Sequence, residues 1–344
     1  MTVNETLKNN TSIKLGFVPS HLKLANTHIP DEKGELPRDE MGKLLLLKGI
    51  VDTCASSPVH IDVTQIMYFP GICDHDSQEL INGVLEIGVE PQLILMVGGP
   101  DPMNPADEDA ATELLLNGVE VAKRHGIKHI GSTSVEGWMA SPPPADEADF
   151  ERRKQQIIKL HYRVFTKGKM AESSIESWHL EFLRPGEMNT FTSIPSIQSV
   201  VAELNKKVDH AFFKVLVDAA HCGDGDLTRE ENAKLIHQLA DDGQFEIFHA
   251  SVPTTRGCVS TDDNWISSLL SAAATSGALK YVIVEVFHHA DPALQALREY
   301  DSNHGIDTSC GRSYQDIVQH NLTDIALRLN NLKNRGLIDS GPRM

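Results

Sequence analysis

No stretch of this sequence approaches the roughly 18 to 20 uninterrupted apolar residues that span a bilayer, so no membrane helix is expected. The first dozen residues, Met1 to Ser12, are polar and hold no apolar segment of a secretory signal. Cysteine is scarce: Cys54, Cys73, Cys222, Cys258 and Cys310 are odd in number, scattered, and never in a CxxC pair. That argues against a disulfide framework and against a structural zinc site. Basic residues are outnumbered, with 31 Lys and Arg against 48 Asp and Glu, for a formal charge of −17. A surface of that sign repels phosphodiester backbones, which are held by basic side chains. The expected setting is cytoplasmic, with neither nucleic acid nor membrane as partner. No GxGxxG follows any apolar run, so the dinucleotide fingerprint is missing too.

What is present is ample apolar content: 40% of the 344 residues are hydrophobic, enough for a sizeable core. Short apolar, β-rich runs recur at Lys14–Pro19, His60–Tyr68, Pro91–Gly98, Ile127–Ser132, Ser177–Leu183, Phe212–Asp218, Phe245–Ser251 and Leu279–Phe287. Continuous stretches such as Leu93-Ile-Leu-Met-Val97 have the pattern of parallel strands buried on both faces. Helical periodicity fills Met41–Cys54, Asp107–His125, Asp149–Glu172, Ser196–Lys207, Arg229–Asp241, Asp263–Thr275 and Pro292–Tyr300. Thr228-Arg-Glu-Glu231 reads as a capping box, and Gly126 and Gly243 follow helical runs as C-terminal glycines do. Eight strands alternating with helices, about 30 to 50 residues apart, predict an α/β fold, a single (β/α)8 barrel over residues 1–310. Met139–Asp149 looks like an insertion stiffened by Pro142-Pro-Pro144, and residues 311–344 look like a C-terminal helical extension over Tyr314–Leu332. An apolar helix outside the barrel also suggests a homo-oligomer.

In such a barrel the chemistry gathers at the carboxyl ends of the strands. Trp178-His-Leu-Glu-Phe-Leu183 carries Glu181, with His179 on the same side by alternation. Phe213–Val217 runs into Asp218, with His221 three residues on; Phe245-Glu-Ile-Phe-His249 ends in His249; Tyr281-Val-Ile-Val-Glu285 ends in Glu285, then His288 and His289. Successive strands thus deliver carboxylate, carboxylate, imidazole, carboxylate to one end of the fold. Buried ionised carboxylates are costly unless paired or metal-bound. Carboxylates with imidazole suit a hard to borderline divalent ion, Mn²⁺ first, with Mg²⁺, Co²⁺ or Zn²⁺ as alternatives, and not a soft thiolate site.

This pattern resembles the xylose isomerase-like superfamily of metal-dependent barrels, which includes ketohexose 3-epimerases, hydroxypyruvate isomerases, inosose dehydratases and, more distantly, metal-dependent apurinic endonucleases. The matching elements are Glu181, Val217-Asp218-Ala-Ala-His221, Phe248-His249 and Val284-Glu285. The resemblance implies Glu181, Asp218, His249 and Glu285 as metal ligands, with His221 against the metal-bound substrate. Arg256, seven residues after His249, falls where the family often has a substrate-binding basic residue. The likeness covers residues 177–289; in the first half only Val135-Glu-Gly-Trp138, after the fourth strand, suggests a substrate rim.

The implied reaction is isomerisation or epimerisation of a keto-sugar or related polyol through an enediolate, with no organic cofactor. Glu181 and Glu285 would move the proton, helped by His221 or His179. A metal-dependent lyase or dehydratase acting on a keto-sugar, inosose or keto-glycoside by β-elimination uses the same groups, and a non-catalytic sugar-binding barrel is a lesser alternative. Phosphodiester hydrolysis is disfavoured by the charge and by His21, His60, His75 and His129, which do not reproduce the extra ligands it needs. Cys222-Gly-Asp-Gly-Asp226 lacks the spacing of a calcium loop, and neither Cys222 nor Cys258 sits in a thiolate motif.

Overall fold

The computed structural model describes residues 7–19, 27–251, 264–286, 295–300 and 313–338. Arg256, His288, His289, His21, Cys258 and Cys310 lie outside them. Eight parallel strands, β1 (Lys14–Phe17), β2 (Val63–Tyr68), β3 (Glu90–Leu95), β4 (His129–Ser132), β5 (Ser177–Glu181), β6 (Phe213–Asp218), β7 (Phe245–Ala250) and β8 (Tyr281–Val284), pair in sequence order. Pairing of β1 with β8, from Lys14 opposite Tyr281 to Phe17 opposite Val284, closes the (β/α)8 barrel. Each of the eight predicted runs matches one strand, with β3 starting one residue earlier, at Glu90. Nearly every strand residue is buried, as the unbroken apolar runs require when helices cover the outside and side chains fill the inside.

The covering helices are α1 (Leu45–Ser56), α2 (Asp74–Glu86), α3 (Glu108–Arg124), α4 (Glu147–Lys167), α5 (Ile194–Val208), α6 (Ala219–Gly223), α7 (Arg229–Asp241), α8 (Trp265–Thr275), α9 (Gln295–Tyr300) and α10 (Tyr314–Asn334). Helix α2 is absent from the periodicity reading for a visible reason. Its inward face includes Asp76 and Ser77 beside Leu80, Ile81 and Val84, so polar residues interrupt the apolar stripe. Asp76 tolerates burial because it pairs with Arg38 and accepts the Leu36 N–H at 2.7 Å. At Thr228 the predicted capping box is formed, with the Thr228 hydroxyl accepting the Glu231 N–H and the Glu231 carboxylate answering.

Among the described residues two apolar clusters result. The larger lies between strands and helices; the smaller, Val18, Val63, Ile94, Leu216, Ile247, Tyr281 and Ile283, fills the barrel interior. Gly16 serves this closure, since a Cβ there would stand 2.2 Å from the Val63 carbonyl oxygen of the adjoining strand. Helix α10 packs on β1, β8 and α8, with Ile317, Leu322, Ile325 and Leu329 inside the larger core. The helix marked as an extension therefore covers the seam where the barrel closes.

Candidate metal centre

The carboxyl ends of β5 to β8 bring Glu181, Asp218, His249 and Glu285 together, with one ligand atom from each within 4.8 Å of the others. All are buried: 4% exposed for Glu181, 7% for Glu285, and none for Asp218 and His249. The Nδ1 of His249 faces all three carboxylates, at 3.3 Å from Glu285, 3.6 Å from Glu181 and 3.9 Å from Asp218. Its Nε2 turns away, to the Gln65 side-chain oxygen at 2.7 Å.

Neighbouring groups aim each member. Asp218 caps α6 by accepting the Ala220 N–H at 2.6 Å, and the Ser251 hydroxyl donates to its oxygens at 2.9 and 3.0 Å. His221, on the short α6, accepts the Arg184 N–H on Nδ1 at 3.0 Å. In the neutral ring that bond leaves the proton on Nε2, which points at Glu181 (3.6 Å) and Asp218 (3.8 Å). Arg184 itself is held by Glu187 at 3.2 Å and Asp224 at 3.3 Å.

The electrostatics follow from crowding three carboxylates. Burial alone would push the His249 imidazole down, but Glu285 and Glu181 outweigh it and bring the ring up to about 10. The cluster thus favours a positive charge at its centre. Three oxygen ligands and one imidazole nitrogen, without sulfur, are the donor set of a hard to borderline divalent ion, so these residues fit such a metal. The nearby Cys222 thiol is pushed well up by burial, with the Asp218 charge adding to it, which leaves it a poor nucleophile.

His179 stands elsewhere. It shares the inward side with Glu181 but sits two residues lower on β5, where its Nε2 and the Ser177 hydroxyl are 2.8 Å apart. Ser177 is in turn 2.8 Å from His129, and the structure groups His179 with His129 and Glu246, not with the four converging residues. Burial holds the His179 ring well below its usual range.

The segment Val135–Trp138, expected as a substrate rim, packs against the loop after β5. Glu136 accepts the backbone N–H groups of Asn189, Thr190 and Phe191 at 2.8 to 3.2 Å, pinning the loop after β5. Trp138, 43% exposed, directs its indole N–H to Glu187 at 3.5 Å. Sequence reasoning missed Ser251, Arg184, Glu187 and Gln65. Ser251 had a signal, since it stands two residues after His249 and so on the same side of the chain. Gln65 had none, because an amide on an early strand marks no chemistry by itself.

No protein-family model matches the sequence, and no curated protein matches it. Solved structures do match. An L-ribulose 3-epimerase superposes with a TM-score of 0.69 at 13% identity, over 94% of this chain and 97% of the other. The D-allulose 3-epimerase of Methylomonas sp., in complex with D-allulose, gives 0.66 at 15% identity over 94% and 96%. A D-psicose 3-epimerase in the presence of D-fructose gives 0.65 at 14% identity over 92% and 99%. At identities this low the likeness shows the barrel fold.

Proposed function

We propose that this chain is a divalent-metal-dependent isomerase or epimerase acting on a keto-sugar or related polyol, with Mn²⁺ the foremost metal. The observation that carries the reading is the convergence of three buried carboxylates on His249 Nδ1 at the carboxyl end of the barrel. That similar folds include 3-epimerases, one of them holding D-allulose, supports it further. Bound among Glu181, Asp218, His249 and Glu285, a divalent ion would act as a Lewis acid on a carbonyl and its neighbouring hydroxyl, making the C–H between them acidic.

The protein side of the reaction falls to named atoms. Glu181 and Glu285 each have two oxygens, so each can ligate through one and carry a proton on the other. One takes the proton from carbon; the other returns a proton to the opposite face or to the adjacent carbon. His221, with its N–H directed at the cluster, would donate to a substrate oxygen and hold it in place. Burial of all these groups keeps bulk water from competing for the proton.

Deuterium uptake tests the scheme. Incubated with a panel of keto-sugars in D₂O, wild-type protein with Mn²⁺ should place deuterium on the carbon beside the carbonyl and return a sugar otherwise unchanged in formula. Glu181→Gln and Glu285→Gln should retain much of their metal yet turn over about 10² to 10⁴ times more slowly. Product lighter by water or an aglycone would reassign the reaction to elimination. Wild-type rates in both Gln variants would remove the two glutamates from proton transfer.

A further inference from the structure

Below the converging groups a chain of polar side chains runs down the barrel interior. It starts at the outer nitrogen of His249. That Nε2 meets Gln65 Oε1 at 2.7 Å, Gln65 Nε2 donates to Gln92 Oε1 at 3.0 Å, and Gln92 Nε2 donates to Glu90 Oε1 at 3.4 Å. Glu90 ends the chain, accepting the Tyr281 hydroxyl at 2.9 Å and the Lys14 ammonium at 2.5 Å. Gln65 and Gln92 face each other directly in the β2–β3 register and are only 2% and 1% exposed.

These amides are not needed to fill space. The same interior also holds Val63, Ile94, Leu216, Ile247 and Ile283, and apolar residues at these two positions would fill it without a polar group to satisfy. What two amides add is direction. The imidazole N–H needs an acceptor, so Gln65 must turn its oxygen to His249 and its NH₂ elsewhere. Gln92 repeats the turn, and Glu90, a carboxylate with acceptors only, is the natural stop. Reversing any one amide would set donor against donor or leave a buried group unmet. The order His249, Gln65, Gln92, Glu90 can be read only one way.

We propose that Gln65, Gln92 and Glu90 are positioning residues, a one-way relay that keeps the His249 proton on Nε2 and its Nδ1 in the carboxylate cluster, and so sets how tightly a divalent ion is held. The proposal rests on the metal-dependent reading above. A ligating imidazole whose other N–H is bonded is fixed in tautomer and orientation and becomes a better donor to the metal. Here the bond is reinforced from a distance. The Glu90 charge polarises Gln92, Gln92 polarises Gln65, and the oxygen presented to His249 is more basic for it. The far end is reachable: Glu90 and Tyr281, with Lys14, Lys128 and Lys280, line a cavity of about 580 Å³ at the amino ends of the strands.

The test uses the purified full chain, with Mn²⁺ affinity measured by competition against a fluorescent chelator. Gln65→Met should weaken the ion about 10- to 100-fold, the usual consequence of removing the partner of a ligating histidine. Glu90→Gln, at the opposite end and outside the cluster, should weaken it by a smaller factor. Gln65→Glu, which restores an acceptor, should bind at least as tightly as wild type. In Zn²⁺-loaded, ¹⁵N-histidine-labelled protein, the His249 Nε2–H proton should be slow to exchange, and fast in Gln65→Met. Should Gln65→Met fail to fold, Glu90→Gln, whose side chain is partly exposed, still decides the matter. Wild-type affinity and slow exchange in the folded variants would overturn the relay alone. Absence of divalent binding by wild type would instead remove the metal reading, and the relay with it.

Discussion

Asp218 shows how one side chain serves structure and chemistry together. Its Oδ1 caps α6 and takes the Ser251 hydroxyl, while Oδ2 looks toward His249 Nδ1 and His221 Nε2 at 3.9 and 3.8 Å. The local bonds restrict the carboxylate before any ion arrives, which is the preorganisation a metal site needs. A different buried histidine sets a pH response. His161, on α4, is fully enclosed against Trp178 with ring centroids 5.0 Å apart, and its Nδ1–H donates to the Ile157 carbonyl at 2.9 Å. Burial pushes its pKa down to about 4. The folded state therefore excludes a proton that the unfolded chain accepts near its ordinary value. The stability this contributes is complete above pH 6.5 and is lost as pH falls toward 4. Between pH 7 and pH 5, urea unfolding of His161→Phe should lose about 2 kcal/mol less stability than wild type. Equal losses in the two proteins would show that His161 accepts a proton without unfolding.

At the scale of elements, helix α10 is where sequence and packing say different things. Its periodicity is plain, with Ile317, Leu322, Ile325 and Leu329 spaced for one face, and Ser313 with Asp316 forms a capping box. Gln315 donates to the Asp52 carbonyl at 2.9 Å and Gln319 to the Ser56 hydroxyl at 2.7 Å, which joins α10 to α1. Asn330 donates to the Lys8 carbonyl at 2.8 Å and accepts the Asn10 N–H at 2.7 Å, so the same helix ties down the segment before β1. A helix holding the barrel's seam in this way should be costly to weaken. Ile325→Ala should destabilise by about 2 to 5 kcal/mol, the range for emptying a closed core position. Ser313→Ala should cost about 1 kcal/mol through the lost cap. A loss below about 1 kcal/mol for Ile325→Ala, read from chemical denaturation, would make α10 a loosely held appendage.

For the molecule as a whole, the metal and the fold should be thermodynamically linked. The unfolded chain cannot gather groups from four strands, so an ion recognises only the folded state. Mn²⁺ at about 100 times its dissociation constant should add about 2.7 kcal/mol and raise the melting temperature, with a chelator reversing the shift. Asp218→Asn should abolish the response. An identical melting temperature with Mn²⁺ and with chelator in wild type would contradict a folded-state metal site.

The linear sequence by itself determined the alternation of eight strands and helices, because strands buried on both faces read as unbroken apolar runs and helix faces repeat at their own period. It also disclosed the ordered Glu181, Asp218, His249 and Glu285, since an ionisable group ending an apolar strand is a local signal. Height within the barrel was not legible. Alternation says which side a residue faces, but strand stagger decides the layer it reaches. His179, inward like Glu181 but two residues earlier on β5, bonds Ser177 in place of joining the cluster. Nor could composition reveal partners distant in sequence. Gln65 meets His249 across 184 positions, and only the closing of β1 onto β8 brings the second strand within reach of the seventh. The polar inward face of α2 escaped for a related reason: Asp76 is tolerable there only because folding delivers Arg38 to it. Local periodicity can report burial, but the pairing that makes a buried polar group affordable exists only in the tertiary structure.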